Sequence, residues 1–281
     1  MKKKIVFVLV LTLALAAFAG CGGGSAPAPS GEENGGEALT PLVVGATPVP
    51  HAEVLEFVQG AMAELGYDLQ IVQFTDYVQP NLATDSGELD ANYFQHVPYM
   101  ETFNANNGTN LVSVFPVHFE PLGLYKARSE SLDDIGPGAI IAIPNDPTNC
   151  ARALRLLEAA GLITLKADAG LLATALDIAE NPRNIEIMEI ESAQLPHILP
   201  DVNMAVINGN FAMQAGLRLD TDAVAVEDKD SLSAVTYANP IVVNAGNERH
   251  PGVLALVEVL KTDAVRDFIN GKYDGGVVPV F

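Results

Sequence analysis

From residue 42 onward, short apolar runs alternate with apolar stripes of helical spacing. Leu42-Val43-Val44-Gly45-Ala46 is a short buried strand, broken by Pro48 and Pro50. His51 to Leu65 follows as a helix, with Val54, Leu55, Val58, Met62 and Leu65 on one face and Gly66 as its stop. Leu69–Phe74 reads as a strand, Tyr77–Thr84 as a helix and Ala91–Phe94 as a strand. This βαβαβ order predicts a parallel sheet flanked by helices. Leu111–His118 and Leu122–Tyr125 read as extended. Ala139–Ile143, Ile185–Ile190, Met204–Ile207 and Tyr237–Val243 read as further strands. Helices are predicted from Pro147 or Thr148 to Ala160, over Gln194–Leu199, from Phe211, and from His250 to Ile269 in one or two pieces. Two βα series result, roughly 40–120 and 122–236, with a C-terminal segment after them. Ligands of such folds sit where strand ends meet a crevice, which draws attention to 45–51, 94–99, 144–152 and 208–211.

The N-terminus follows a different rule. Lys2, Lys3 and Lys4 precede an apolar stretch, Ile5–Ala19, that is too short to span a bilayer and fits the core of a secretory signal. Phe18-Ala19-Gly20-Cys21 matches a bacterial lipobox except at Phe18, so Cys21 is expected to carry the lipid. Residues 22–38, GGGSAPAPSGEENGGEA, cannot bury enough apolar surface to fold. As a flexible tether they would span roughly 20–25 Å.

Charge narrows the partners. With the three lysines of the signal removed, the 15 Lys and Arg fall to 12, facing 35 Asp and Glu, a net charge of −23. Such a surface is repelled by nucleic acid and anionic lipid heads, so membrane contact is expected through the N-terminal lipid only. Cys150 is the second of two cysteines, so no intrachain disulfide is available once Cys21 is acylated. No GxSxG, HExxH, Walker or GxGxxG motif is present, and the five histidines lack metal-ligand spacing. Neither an enzyme nor a bound metal or cofactor is expected. His51 and His197 read as helix-start residues. Cys150 beside Asn149 leaves a hydrolase as the remote alternative.

The candidate chemistry centres on PNDPTNCARA, residues 144–153. Arg152 sits within two turns of a helix N-terminus, the end that carries partial positive charge. Its helical neighbours Thr148, Asn149, Arg155 and Leu156 include no acid. Two readings stand at this point: a solvated surface arginine, or a cation that meets an external anion, with Asn149 donating to the same anion. Asn208, at the end of the strand Met204–Ile207, offers donor and acceptor to a zwitterion or simply makes an Asn-Gly turn. Asn239 before Pro240 is similarly a ligand or a turn cap. The aromatic-rich NYFQHVPY, residues 92–99, forms ordinary core or lines an apolar box.

Several stretches, in order, are similar to the methionine-binding lipoproteins of ABC importers (the MetQ/NlpA group). They are FTDYVQPN (74–81), LDANYFQHVPYM (89–100), PNDPTNCARAL (144–154), ENPRNIEI (180–187), ESAQLP (191–196) and AVINGNFA (205–212). The likeness covers 40–281. It implies an α/β, type II periplasmic-binding-protein fold, with two α/β lobes joined by two crossovers and the ligand cleft between them. It places a signal peptide at 1–20, the lipidated Cys21 and tether at 21–39, lobe 1 at 40–120 plus 240–281, and lobe 2 at 121–239. It implies that Arg152 and Asn149 hold a methionine carboxylate, Asn208 and Asn239 the head group, and Tyr77, Phe94, His96 and Tyr99 the side chain. His118 and Glu120 would contact the ligand too, Glu120 through the ammonium, and Asn210 is a second-tier candidate. On this view, only bound ligand relieves the repulsion between Arg152 and its helix end. The partners implied are a permease and its ATPase, and the location is the extracytoplasmic face of the membrane. Alternatives within the class are another small apolar amino acid or a methionine-containing dipeptide. Outside it, a surface adhesin or sensor would use the same fold.

Overall fold

The computed structural model describes residues 38–228 and 232–281; the signal, Cys21 and nearly all of the tether lie outside them. The first part of the chain runs β1 (Thr40–Ala46), α1 (Glu53–Glu64), β2 (Tyr67–Gln73), α2 (Gln79–Asp85), β3 (Ala91–Tyr93), α3 (Val97–Asn107) and β4 (Leu111–Phe119). It continues through β5 (Gly123–Lys126), β6 (Ile140–Pro144), α4 (Pro147–Ala159), the small hairpin β7 (Thr164–Leu165) and β8 (Ile178–Glu180), and β9 (Glu186–Ile190). Then come β10 (Met204–Ile207), α5 (Gly209–Gln214), α6 (Leu219–Asp222), β11 (Ala223–Val226) and α7 (Leu232–Thr236). The chain closes with β12 (Asn239–Asn244), α8 (Pro251–Leu260), α9 (Asp263–Tyr273) and β13 (Val278–Pro279).

Two main sheets form, each with its own core. The first has the order β13-β4-β12-β3-β1-β2 and the second β11-β5-β10-β6-β9. One core packs Leu42, Leu55, Met62 and Tyr93 against Ile241, Leu256 and Ile269. The other packs Ile141, Ile143, Leu154 and Leu157 against Leu122 and Met204. The chain leaves the first sheet after Phe119 and re-enters it at Asn239. These are two α/β lobes joined by two crossovers.

The elements follow the apolar pattern closely, with instructive differences. The first sheet is mixed rather than parallel: β1 pairs in parallel with β2 and β3, but β12 runs antiparallel to β3 and β4. Strand order along the chain says nothing about a strand that returns after 120 residues. The predicted C-terminal helix divides into α8 and α9 around Lys261 and Thr262. Helix α3 escapes the periodicity because its buried residues, Tyr99, Met100 and Phe103, are set among Asn and Glu without a continuous stripe. Its limits are nevertheless local: Pro98 in the first turn and Gly108 at φ 70° after the end.

Helix α4 carries Asn149 and Arg152, and its seat is Leu154, fully buried in the second core. Leu154→Ala should cost about 2–5 kcal/mol, read as a lower midpoint in chemical denaturation.

Candidate functional site

Between the lobes lies a small cavity, partly open to solvent. Tyr77, Phe94, His96, Tyr99, Glu120, Asn149, Arg152, Asn208 and Asn239 line it, with Gln95, Gly209 and Asn210. His118 does not line it; it is fully buried behind Glu120.

The aromatic side comes from α3 and the segments before it. Tyr77 is the hub, with ring centroids 5.7 Å from Phe94, 5.7 Å from Tyr99 and 4.9 Å from Phe211. His96 is the N-cap of α3, its Nδ1 accepting from the Tyr99 amide at 3.1 Å. That bond fixes the tautomer, so Nε2 carries the proton and donates to Asn149 Oδ1 at 3.2 Å. Burial and the nearby Arg152 hold His96 down to about 3, so the ring stays neutral. Beneath this wall, Asn81, Asn92, Gln95 and Thr84 form a buried amide cluster that fixes the turn carrying Phe94 and His96. Gln95 lies inside the quoted motif, but nothing in its spacing marks it off from its neighbours.

Arg152 is only 4% exposed. It is not a solvated arginine, and it is not waiting unpaired for a ligand. Its Nε donates to both carboxylate oxygens of Glu227, at 3.1 and 3.0 Å, and Nη2 donates to Glu227 Oε2. Nη2 also donates to the Glu120 carbonyl at 2.7 Å. The rings of Tyr237 and Phe119 pack against the guanidinium at 4.6 and 5.4 Å. The expectation that bound ligand alone relieves the cation's unfavourable place at a helix start is therefore corrected: Glu227, 75 residues along the chain, already does so. Helical spacing reveals only neighbours within a turn, so it could not show this partner.

Asn149 also differs from expectation in its bonds. Its amide nitrogen donates to both oxygens of Asp146, the N-cap of α4, at 3.1 and 2.9 Å. Its Oδ1 accepts from His96 and, at 2.9 Å, from Asn208 Nδ2. Asn149 thus holds other cavity residues in place, and because both Asp146 oxygens lie to one side of its nitrogen, a single N–H serves them.

Glu120 sits at the first crossover, 5% exposed. Its Oε1 lies 2.8 Å from His118 Nε2 and 3.3 Å from His51 Nε2. Nδ1 of His51 meets the Thr47 hydroxyl at 2.7 Å, and Nδ1 of His118 meets the Tyr93 hydroxyl. Hydroxyls donating to both Nδ1 atoms leave each Nε2–H free to donate, that of His118 to Glu120 Oε1 and that of His51 to Asn239 Oδ1 at 3.3 Å, with Glu120 Oε1 equally near. Burial lowers both rings to about 3, so they are neutral. These three donors lie within 4.8 Å of one another, a spacing open to a metal ion. The hydroxyls at Nδ1 and the acceptors at Nε2 already occupy both imidazoles, and orienting Glu120 accounts for the arrangement. The histidine read as a ligand contact (His118) and the one read as a helix start (His51) are both supports of Glu120.

Two buried side-chain atoms on the cavity wall have no hydrogen-bond partner: Asn208 Oδ1, an acceptor, and Asn210 Nδ2, a donor. Each unsatisfied group costs about 1–3 kcal/mol. Asn210 Oδ1 accepts from the Tyr77 hydroxyl at 2.6 Å, which joins the two walls. The cavity can therefore offer a donor and a cation to an anion, an acceptor and a carboxylate to a cation, and rings to an apolar tail. Cys150 is buried and its thiol is pushed up to about 12 by that burial, which leaves no nucleophile at neutral pH.

The model of the NlpA lipoprotein family matches residues 42–281. Membrane lipoprotein TpN32 of Treponema pallidum is 46% identical over 235 residues, covering 84% of this chain and 86% of that protein. The D-methionine-binding lipoprotein MetQ of Escherichia coli K12 is 42% identical over 229 residues, 81% of this chain and 82% of that one. Among solved structures, a nutrient binding protein from Burkholderia cenocepacia bound to methionine aligns with a TM-score of 0.81 and 43% identity. It covers 85% of this chain and 100% of that one.

Gly209, which opens α5, is required by close approach. A Cβ there would fall 2.8 Å from Glu120 Oε2 and 3.0 Å from Glu120 Cβ. Gly209→Ala should push Glu120 off its partners and cost about 1–3 kcal/mol in thermal unfolding without ligand.

Proposed function

The chain belongs to the NlpA lipoprotein family, and on that premise we propose that it is the substrate-binding protein of an ABC importer, with free methionine as its ligand. It is a binding protein and not an enzyme. The observation that carries the ligand assignment is the pair of unpartnered atoms on the cavity wall, Asn208 Oδ1 and Asn210 Nδ2. An amino acid supplies an ammonium for the first and a carboxylate for the second. Glu120 supplies the countercharge for the ammonium, with Asn239 beside it. Arg152 supplies it for the carboxylate. The thioether enters the box of Tyr77, Phe94, His96 and Tyr99. Its burial contributes roughly 1.5–3 kcal/mol, and sulfur–ring contacts add about 0.3–1.5 kcal/mol.

The proposal extends to the molecule around the cavity. Lobe 1 is 40–120 plus 240–281 and lobe 2 is 121–239, closing on the ligand about the crossovers. Cys21 bears the lipid that holds the protein at the extracytoplasmic face of the membrane, where it delivers methionine to a permease driven by an ATPase. Among the described residues no helix is long and apolar enough to cross a bilayer. That agrees with attachment through the N-terminus.

Two measurements test the assignment. Arg152→Ala leaves both the ligand carboxylate and Glu227 without their cation. It should cost about 3–5 kcal/mol in affinity, a loss of roughly 10²- to 10⁴-fold by calorimetry. Affinity of that variant for L-methionine within a few-fold of wild type, or stronger binding of another amino acid than of methionine by the wild type, would sink it. The second is pH dependence. Burial raises the Glu120 carboxyl above its ordinary range, against the opposing pull of His51, Arg152 and the Asn210 amide. Its charged form pairs with the ammonium, so binding is full above that raised pKa and weakens as pH falls through it. The weakening therefore begins at higher pH than for an ordinary carboxylate. Glu120→Gln should flatten the profile in that window; an unchanged profile would remove Glu120 from the head-group site.

A further inference from the structure

We propose that Glu227 is a positioning residue for the ligand carboxylate. It holds Arg152 by the Nε–Nη2 edge, so that Nη1 alone receives the ligand. The inference rests on the reading of Arg152 given above and deepens it.

A guanidinium has five N–H groups in a rigid fork. The Nε hydrogen is taken by Glu227, and the two on Nη2 by Glu227 and the Glu120 carbonyl. The two hydrogens of Nη1 are what the fork has left for a carboxylate. The ligand is therefore met end-on by one nitrogen, not clamped by two. Asn210 Nδ2, the unpartnered donor on the same cavity wall, is the natural second contact.

Glu227 is itself rigidly held. Its amide donates to the Leu122 carbonyl at 2.9 Å, and its Oε2 accepts from the Leu122 amide at 3.1 Å. Leu122 follows the first crossover directly, so the carboxylate is tied to backbone at the hinge. Arg152 and Glu227 also line a second cavity with Leu156, Leu171, Val226 and Tyr237. Leu171 and Val226 are among the exposed apolar side chains, so this cavity reaches the surface. Without Glu227, the guanidinium can turn into that space and be hydrated there, away from the ligand. Glu227 opposes this by fixing one edge of the fork.

The test compares two ligands on the full protein by calorimetry: L-methionine and L-methionine methyl ester, which lacks the carboxylate charge. Wild type should favour methionine by roughly 10²-fold or more. Glu227→Ala should narrow that ratio by about 10-fold or more, and Glu227→Gln, which keeps shape and an acceptor, should fall between. Thermal unfolding without ligand confirms that each variant is folded. If Glu227 only braced the hinge, both ligands would weaken together and the ratio would stay, which overturns the proposal. A wider ratio also overturns it, since Glu227 would then be screening Arg152 and not positioning it. A wild-type ratio near one, or no methionine binding by wild type, overturns instead the underlying reading of Arg152.

Discussion

A buried guanidinium is the constraint around which this structure is arranged. Arg152 lies on α4, almost without solvent, near the helix end where a positive charge is least welcome. Leaving such a charge unpaired costs about 3–5 kcal/mol. The chain answers with groups from separate stretches: the carboxylate of Glu227, the carbonyl of Glu120, and the rings of Phe119 and Tyr237. Phe119 and Glu120 enter the first crossover, and Tyr237 precedes the return at Asn239. The same contacts that neutralise Arg152 therefore tie α4 to both connections between the lobes.

Glu120 is the opposite charge, handled by a different device. The neutral His118 ring and the Asn210 backbone amide donate to its carboxylate, the neutral His51 ring lies against it while bonding Asn239, and a hydroxyl fixes each imidazole from behind. The result is one positive and one negative group on a single cavity wall, both oriented before any ligand arrives. Two asparagine atoms between them remain unsatisfied. On the proposed function, a free amino acid completes both, which turns a cost of the empty protein into binding energy. This is preorganisation in the ordinary sense: side chains are ordered by the fold, so the ligand does not have to order them.

Much of this was legible in the chain because it is local. Strand ends place Asn208 and Asn239, the N-terminal turns of α4 place Asn149 and Arg152, and NYFQHVPY carries Phe94, His96 and Tyr99 to the cavity. Other features were not legible, each for a definable reason. Helix α3 lacks a stripe. His118 alternates correctly along β4, but the pattern cannot say that Glu120 stands between it and the cavity. Glu227 has no motif, and nothing local connects it with Arg152.

Periodicity and neighbours in the chain were enough for the βα succession, the helix limits at Gly66 and Pro147, the apolar cores, the acidic surface and, through its motifs, the family. Tertiary structure alone decided the partners of the buried charges and the direction of β12. Hydrogen-bond and charge satisfaction is a requirement on space, met by whichever residue the fold brings within about 3 Å. At a separation of 75 residues, no pattern along the chain records which residue that will be.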